Sequence, residues 1–476
     1  MAELTLASTR GRWVLAATTL GSGLAFLDAT VVTIALPAIG EDLDTGVAGL
    51  TWTVNGYVLT LAALVLVGGS LGDRFGRKRV FQIGVGWFGV TSLVCALAPT
   101  VELLVAARAL QGIGAALLTP GALAILQTAF RSADRSRAIG AWSGLAGLTG
   151  AVGPFLGGWL LDLGSWRLIF LVNVPLVVVV LVVAAAYVPE SLDTSVSGRL
   201  DYAGAALVVA GLGGLSYGLS VWPDRGPGSA AVRLGIGVGV LGLVAFALWE
   251  SRTRAPMLPL AVFRVRRFSI TNLATLLIYA GLSGVLFWLV VALQVVSGFS
   301  PLAAGLSLLP VTILMLLLSP RAGVVGDRLG PRIPMTAGPW IAALGVAAMA
   351  RIGPDSSYVV DVLVPATVLA AGITLTVTPL TATALGSLPA TQAGLASGVN
   401  NAVARTGGLL IVAALPVLTG LPGEGFGDSS TLEPAFERAM LWCAGLLAVG
   451  GTVAGLFLRT PPEHHPAGRR PPPASR

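Results

Sequence analysis

Long apolar runs separated by short polar segments fill most of this 476-residue chain. A helix rises about 1.5 Å per residue, so about 20 apolar residues span the hydrocarbon core of a bilayer. Fourteen runs approach or exceed this length, at residues 13–36, 50–70, 80–98, 103–127, 138–161, 167–188, 203–221, 232–249, 270–296, 302–325, 334–350, 359–386, 397–420 and 436–457. The pattern therefore predicts an all-α polytopic membrane protein with 14 transmembrane helices.

Composition and charge support this class and predict an orientation. Hydrophobic residues make up 55% of the chain, charged residues 11%, and the mean hydropathy is +0.86, whereas a soluble domain carries about 25% charged residues. Of the 29 Lys and Arg residues, 22 fall on one set of alternating loops, which predicts that these loops and both termini are cytoplasmic. Because the bases are dispersed over short loops, we expect no nucleic-acid partner.

A basic turn between the second and third runs is repeated later in the chain. Residues 69–79 read GSLGDRFGRKR, and residues 326–332 read GDRLGPR. The repeat indicates two related helical bundles, a construction that many secondary transporters use around a site at the membrane midplane. The residues that we expect to form a conformational latch are Gly69, Gly72, Asp73, Arg74, Gly76, Arg77, Arg79, Asp327 and Arg328. Simple ordering of the loops is the alternative interpretation.

Asp28 is the acid that we place deep inside a predicted helix. A charge at a helix centre costs about 2.5–3.5 kcal/mol, so such charges face a wet cavity or a partner and mark ion pathways. Arg108 in the fourth run is the candidate partner, because the two residues lie at nearly the same depth. The helix rise places Asp28 about 22 Å from the inner edge of a ~30 Å core and Arg108 about 9 Å from the outer edge. We predict that this pair couples transport to protons; a static ion pair is the alternative.

The fifth run is rich in glycine and contains a proline. Glycines on a helix surface let two backbones approach closely, and a proline lets the helix bend. These features predict a sliding or rocking interface, with plain close packing as the alternative. The residues concerned are Gly150, Gly153, Pro154, Gly157 and Gly158.

Polar and aromatic side chains inside other runs are candidates for lining a substrate cavity. Amides also join helices, and aromatic residues also occupy the membrane interface, so these roles compete with substrate contact. The candidates are Trp52, Asn55, Tyr57, Gln111, Gln294, Asn400, Asn401 and Arg405. Cys95 and Cys443 fall in different runs and support neither a disulfide nor a metal site. We therefore expect no metal and no cofactor beyond a proton gradient.

These motifs resemble those of the fourteen-helix drug:proton antiporters of the major facilitator superfamily, over almost the whole chain. Residues 69–79 are similar to the family's loop motif between helices 2 and 3. Residues 27–37 resemble its helix 1 motif, whose Asp is implicated in proton or substrate coupling, and residues 108–114 its helix 4 motif, whose Arg is linked to proton transfer. Residues 150–158 resemble the helix 5 motif associated with exporters, and residues 166–175 a further stretch typical of this branch.

The resemblance implies the major facilitator fold, with two six-helix bundles and two extra helices. Residues 1–188 would form the N-terminal bundle, and residues 189–267 two linking transmembrane helices with a cytoplasmic loop. Residues 268–460 would form the C-terminal bundle. Residues 461–476 have the composition of a disordered cytoplasmic tail.

The implied function is export of small amphipathic drugs, antibiotics or toxic compounds across the cytoplasmic membrane, driven by inward proton flow. We expect a monomer that contacts the lipid bilayer and works by alternating access. Residues 302–325 lack the extra acid with which some relatives expel dicationic compounds, so divalent drugs are less favoured.

Three other functions compete with export. A proton symporter or uniporter importing a nutrient is one alternative, against which the helix 5 motif argues. A non-transporting membrane sensor is another, disfavoured because the runs leave no appended soluble domain for signalling. We do not expect an enzyme, since no nucleophile with its base, phosphate loop or metal cluster can be recognised.

Overall fold

The computed structural model describes residues 4–192, 201–389 and 392–458, apart from some side chains in the fifth and thirteenth helices and that of Ala393. Every regular element in these ranges is helical. The α-helices are α1 (Thr9–Asp42), α2 (Val47–Phe75), α3 (Arg77–Ala96), α4 (Val101–Ala129), α5 (Ser132–Asp162), α6 (Leu168–Leu171), α7 (Asn173–Tyr187), α8 (Tyr202–Ser220), α9 (Trp222–Arg225), α10 (Ala230–Arg252), α11 (Arg266–Val295), α12 (Pro301–Leu306), α13 (Leu309–Leu329), α14 (Arg332–Met349), α15 (Val364–Leu385), α16 (Ala393–Thr419) and α17 (Ser429–Phe457). A π-helical turn, Tyr358–Leu363, leads into α15.

The predicted runs coincide with helical segments, but their ends and continuity differ. Helix α1 continues through Pro37 to Asp42. An interior proline removes one backbone hydrogen bond, and transmembrane helices tolerate this loss because neighbouring groups can satisfy the freed carbonyl. The run at 167–188 holds two helices, α6 and α7. The run at 302–325 is divided between α12 and α13 at Ser307 and Leu308. Pro310 lies in the first turn of α13, where a proline is tolerated because the backbone N–H groups there have no helical partner.

Eleven helical segments of the described chain are long and apolar enough to cross a membrane. They exclude α5, α14 and the divided α12–α13 segment, all of which coincide with predicted runs. The predicted tail at 461–476 lies outside the described residues. The chain is therefore a multi-pass membrane protein built from helices.

Side-chain caps fix where several helices begin. The Ser8 hydroxyl accepts a hydrogen bond from the Gly11 amide at the start of α1, and the Thr100 hydroxyl accepts one from Leu103 at the start of α4. Each cap satisfies a backbone N–H that has no partner within its helix. Unsatisfied N–H groups are costly in a bilayer, so these caps stabilise the starts of the two helices.

Helices α1–α7 pack mainly on one another, and so do α11–α17 apart from α12, whose main partner is α5. The two groups meet where α5 contacts α12 and α13, α2 contacts α16, and α1 contacts α11. Helix α8 packs against both α2 and α16. We name the two ends of the assembly by their turns: the basic end holds the α2–α3 and α4–α5 turns, and the opposite end holds the α1–α2 and α16–α17 turns.

Glycines bring α8 and α10 into backbone contact. A Cβ atom added to Gly214 would lie 2.6 Å from the Gly239 nitrogen, and one added to Gly218 would lie 2.8 Å from the Ile236 nitrogen. Small residues at such positions let helices associate in lipid, where no hydrophobic driving force exists between them. Close backbone contacts at these glycines thus hold α8 and α10 together as a pair.

Candidate functional site

The structure brings Asp28 of α1 and Arg108 of α4 into contact in the middle of the α1–α7 group. Arg108 Nη1 donates to Asp28 Oδ2, and the two side chains are only 1% and 0% exposed, respectively. Removing one partner of a buried ion pair typically costs about 3–5 kcal/mol, because the other charge is left uncompensated. Each charge therefore depends on the other in this conformation.

Amide and hydroxyl groups surround the ion pair. Arg108 also donates from Nε to the Thr53 carbonyl at 3.0 Å and from Nη1 to Gln111 Oε1 at 2.6 Å. The Gln111 Nε2 group donates to Asp28 Oδ1 at 3.0 Å and to Ser92 Oγ at 2.7 Å. Such hydrogen bonds offset the desolvation of buried charges. Gln111 thus contacts both charged groups.

Asn173 completes this arrangement, although the sequence did not single it out as a site residue. Its Nδ2 group donates to Asp28 Oδ1 at 3.2 Å and to Ser92 Oγ at 3.3 Å, and its side chain is fully buried. It is the first residue of α7, so the break between α6 and α7 presents its amide to α1 and α3. The sequence signal that could have identified it is an amide side chain in an apolar run, within the stretch at 166–175 that resembles the family.

We refer to Asp28, Ser92, Arg108, Gln111 and Asn173 as the polar cluster. Aromatic rings cover its cation: the Arg108 Cζ atom lies 4.4 Å from the Tyr57 ring centroid and 5.7 Å from that of Phe170. Cation–π contacts of this kind stabilise a desolvated guanidinium. Both charged side chains are almost fully buried, so they have almost no contact with solvent in this conformation.

Two predicted cavity residues of α2 lie beside α8. Asn55 Nδ2 donates to Ser216 Oγ of α8 at 3.1 Å and to the Leu409 carbonyl of α16 at 3.2 Å. The Trp52 and Tyr217 ring centroids are 6.3 Å apart. Asn55 is fully buried and joins three helices in this conformation.

The other predicted cavity residues lie on helices of the second group. Gln294 Nε2 donates to the Ile34 carbonyl of α1 at 3.0 Å, across the two groups. Asn400 donates to Thr275 Oγ1 of α11 at 2.8 Å, within the second group. The last two candidates, Asn401 and Arg405, are partly exposed on α16.

Glycines of the helix 5 motif face two different partners. A Cβ atom added to Gly153 would lie 1.9 Å from Thr30 Oγ1, and Gly157 faces the same helix, α1. A Cβ atom added to Gly158 would instead lie 2.5 Å from the Leu302 Cα atom of α12. The motif therefore permits close packing both within the first group and across to the second.

This contact between the groups depends on small residues on both sides. A Cβ atom added to Gly305 of α12 would lie 2.2 Å from the Pro154 carbonyl oxygen of α5, and both residues are buried. Gly150 lies in a part of α5 whose side-chain surroundings are outside the described set. Four of the five predicted residues can thus be placed, and two of them, Pro154 and Gly158, lie at the interface.

Further contacts join the two groups at the opposite end. The Val47 amide at the start of α2 donates to the Gly423 carbonyl in the α16–α17 turn at 2.7 Å. Asp224 of α9 also lies against this turn, since a Cβ atom added to Gly423 would overlap its Oδ1 atom at 1.4 Å. Burial raises the pKa of the Asp224 carboxyl, an effect that Arg225 opposes and Glu424 reinforces.

The basic turn is a sharp junction between α2 and α3. Gly76 has a φ of +107°, a backbone conformation that favours glycine. On either side of it, Asp73 Oδ1 and Arg77 Nη2 form a salt bridge of 2.7 Å, and Arg74 lies in the last turn of α2. Two of the predicted latch residues, Asp73 and Arg77, are therefore in contact in this conformation.

An acid outside the motif anchors this junction. Glu190 follows α7, and its carboxylate accepts hydrogen bonds from the Lys78 amide at 3.0 Å and the Arg79 amide at 3.2 Å. A carboxylate at a helix N-terminus satisfies unpaired N–H groups and complements the helix dipole. No local sequence pattern indicates this contact, because 112 positions separate Glu190 from Lys78.

Other glycines of the turn differ in how closely they are packed. A Cβ atom on Gly69 would make an ordinary contact with Pro120 at 3.6 Å, and one on Gly72 would have still more room. One on the neighbouring Gly68 would lie 2.1 Å from the Ala116 carbonyl oxygen of α4. The close approach of α2 to α4 thus depends on Gly68, which was not among the predicted residues.

The second copy of the turn repeats the backbone geometry of the first. Helix α13 ends at Leu329, Gly330 has a φ of +71°, and α14 begins at Arg332. Arg328 is exposed, whereas the side chain of Asp327 is outside the described set. A helix, a left-handed glycine and a basic helix start therefore occur at both positions of the sequence repeat.

Comparisons with known proteins agree with this architecture. The family model of the Major Facilitator Superfamily matches residues 18–413. Multidrug resistance protein Stp of Mycobacterium tuberculosis is 35% identical over 427 residues, which cover 90% of this chain and 78% of that protein. The cephamycin export protein CmcT of Amycolatopsis lactamdurans is 38% identical over 452 residues, which cover 92% of each chain.

Solved structures are similar in fold. A crystal structure of the peptide transporter POT in complex with sulfate matches with a TM-score of 0.67, covering 96% of this chain and 98% of that one at 16% sequence identity. At this identity the likeness concerns the fold alone.

Proposed function

Because the chain belongs to the Major Facilitator Superfamily, we propose that this membrane transporter expels small amphipathic compounds in exchange for protons. Relatives named for multidrug resistance and antibiotic export support outward transport. The proposal of proton coupling rests on the buried polar cluster, which places an acid and a base at the centre of the helices.

In the proposed membrane arrangement, all fourteen predicted segments cross the bilayer and the basic end faces the cytoplasm. Helices α8 and α10 are then the extra pair, and the two groups are the six-helix bundles. The N-terminal segment supports a common side for the termini, because the Leu4 amide donates to the Ala129 carbonyl at the basic end. Helix α17 ends there too, where Arg332 Nε donates to the Gly455 carbonyl at 2.6 Å.

Proton exchange would proceed through Asp28. In the present conformation its carboxylate is ion-paired with Arg108. Protonation would cancel the negative charge and release the guanidinium to the carbonyl oxygens of Thr53 and Gln111, both already within hydrogen-bonding distance. The ion pair disfavours protonation of Asp28 in this conformation, so a conformation without the pair would bind the proton more tightly. This difference in proton affinity between conformations is what coupling requires.

Alternating access would use the contacts between the two helix groups. The α5–α12 contact and the Val47–Gly423 hydrogen bond close the opposite, external end in this conformation. The salt bridge between Asp73 and Arg77 and the Glu190 anchor belong to the cytoplasmic turn, where they would control the inner gate. Outward movement of substrate then requires the external contacts to separate.

Efflux from proteoliposomes tests this proposal. Vesicles are loaded with one of two permanently charged probes that share an apolar body, pyrenebutyl-trimethylammonium or pyrenebutanesulfonate, and a pH gradient is imposed. We expect gradient-driven efflux of a probe by the native chain and its loss in Asp28→Asn. Asp162→Asn, at the exposed end of α5, is the matched control and should retain efflux.

Each other result has a definite meaning for the proposal. Equal efflux by the native chain and Asp28→Asn would remove Asp28 from the coupling role. Gradient-driven uptake instead of efflux would favour the importer, and movement of neither probe under any gradient would contradict export of amphipathic compounds.

A further inference from the structure

Arg405 lies between the two helix groups, halfway along the membrane-crossing segment. It is the thirteenth residue of the 27-residue helix α16. Its Cζ atom lies 6.0 Å from the ring centroid of Phe26, which is on α1 and only two positions from Asp28. The guanidinium thus points across the interface between the groups, and its side chain is partly exposed there.

The charge of Arg405 has no acidic counterpart among the described residues. No salt bridge includes it, and the titratable groups that interact with it electrostatically are the phenols of Tyr57 and Tyr279. Asp28 is already paired with Arg108. Asp327, whose side chain is not described, lies two residues from the end of α13 and far from the depth of Arg405. The middle of the interface therefore carries a net positive charge.

The surroundings of this charge are aromatic. Phe26 contributes its ring face, and Tyr57 and Tyr279 are the phenols in electrostatic reach. A guanidinium binds carboxylate, sulfonate or phosphate groups through a planar set of donors, and flanking rings suit a flat apolar body. A low effective dielectric strengthens such a charge contact.

We propose that Arg405 binds an anionic group on the substrate, so that the transporter selects amphipathic anions over cations of the same shape. This inference rests on the proposed export function and specifies its substrate class. While Asp28 is ionised and paired with Arg108, the polar cluster adds no net charge, so Arg405 sets the sign of the selectivity in this conformation. Substrates with a permanent positive charge would meet an uncompensated cation.

Equilibrium binding of matched probes tests the charge selectivity without needing transport. The probes are pyrenebutanesulfonate, pyrenebutanol and pyrenebutyl-trimethylammonium, and the readout is pyrene anisotropy with the purified full chain in lipid nanodiscs. The variants are Arg405→Gln, which removes the charge, and Arg405→Lys, which keeps it. Arg351→Gln changes an exposed arginine outside the helices and serves as the control.

We expect the native chain to bind the sulfonate more tightly than the trimethylammonium probe. Arg405→Gln should weaken sulfonate binding by about tenfold, as loss of a charge-assisted hydrogen bond predicts, and should leave the alcohol within about twofold. Arg405→Lys should restore most of the sulfonate affinity, a rescue that depends on charge. Arg351→Gln should bind all three probes as the native chain does.

Two results would overturn the inference. One is an unchanged sulfonate-to-alcohol affinity ratio in Arg405→Gln, and the other is a native chain that prefers trimethylammonium or does not bind the sulfonate. Failure of the export function is separate, because it would show as absent gradient-driven efflux of either charged probe from proteoliposomes. If the chain expels the trimethylammonium probe but shows no Arg405-dependent preference, the proposed export function stands and the proposed selectivity for anions fails.

Discussion

Gly158→Ala should shift the transporter away from the conformation in which the opposite end, external in the proposed membrane arrangement, is closed. The added Cβ atom would lie 2.5 Å from the Leu302 Cα atom, 2.7 Å from the Pro301 carbonyl oxygen and 2.8 Å from the Leu302 nitrogen. All three atoms belong to the backbone of α12, so no rotamer change can relieve the overlap. Helices α5 and α12 must therefore move apart for alanine to fit.

The size of the shift follows from the cost of overpacking. Inserting a methyl group into a tight contact typically costs about 1–3 kcal/mol, and this cost falls on the closed conformation because α5 and α12 separate when the external end opens. Such a difference changes a two-state ratio by about 5- to 150-fold. The gain in helix propensity from glycine to alanine is about 1 kcal/mol, but it applies to both conformations and cancels.

Distances between spin labels at Leu163 and Asp355 measure this shift. Both positions are exposed and lie at the external end, one in each helix group, and the native Cys95 and Cys443 are buried, which limits background labelling. We expect Gly158→Ala to increase the long-distance population. Gly140→Ala is the matched control, since its Cβ atom would meet nothing within 4 Å. Identical distance distributions for both variants would refute the role of the α5–α12 contact.

Three further predictions concern other contacts. Gly76→Ala should cost about 1–2 kcal/mol of stability, because alanine disfavours the φ of +107°; an unchanged melting temperature would contradict this strain. Asn173→Ala should cost about 1–3 kcal/mol, because the buried Asp28 carboxylate loses a donor; a full loss of efflux with unchanged melting would instead indicate a purely functional role. Burial raises the pKa of Asp224 above its ordinary value, so the folded chain binds more protons than the unfolded chain between the two pKa values. Stability therefore falls as pH rises from the ordinary pKa of Asp through the raised pKa of Asp224. Asp224→Asn should flatten the melting-temperature profile over this pH range, and an unchanged slope would exclude Asp224 as the cause of the pH dependence.

The helical architecture and the Asp28–Arg108 contact follow from physical rules that act along the chain. Apolar run length determines which segments can lie in a bilayer, and helix rise converts sequence position into depth. Two opposite charges at the same depth in a low-dielectric medium attract each other strongly and are expected to form an ion pair. The ion pair of Asp28 with Arg108 could therefore be predicted without coordinates, and the family motifs identified the superfamily.

Contacts that depend on how helices pack could not be obtained in this way. Asn55 was a reasonable cavity candidate, yet its amide joins α2, α8 and α16, because an amide inside a span can satisfy itself against any neighbouring helix. Glu190 anchors α3 from 112 positions away, and the break before Asn173 arises within one apolar run. The sequence indicates the depth and polarity of a side chain, whereas its hydrogen-bond partner depends on how the helices rotate and cross.

Proton movement driven by the substrate tests the central claim most directly. Proteoliposomes hold a pH-sensitive dye at equal internal and external pH, and a gradient of whichever charged pyrene probe is expelled is imposed across the membrane. The account predicts that the native chain moves protons opposite to the probe, that Asp28→Asn moves none, and that Asp162→Asn behaves as the native chain does. Probe movement without any proton movement in the native chain would contradict proton antiport through the polar cluster.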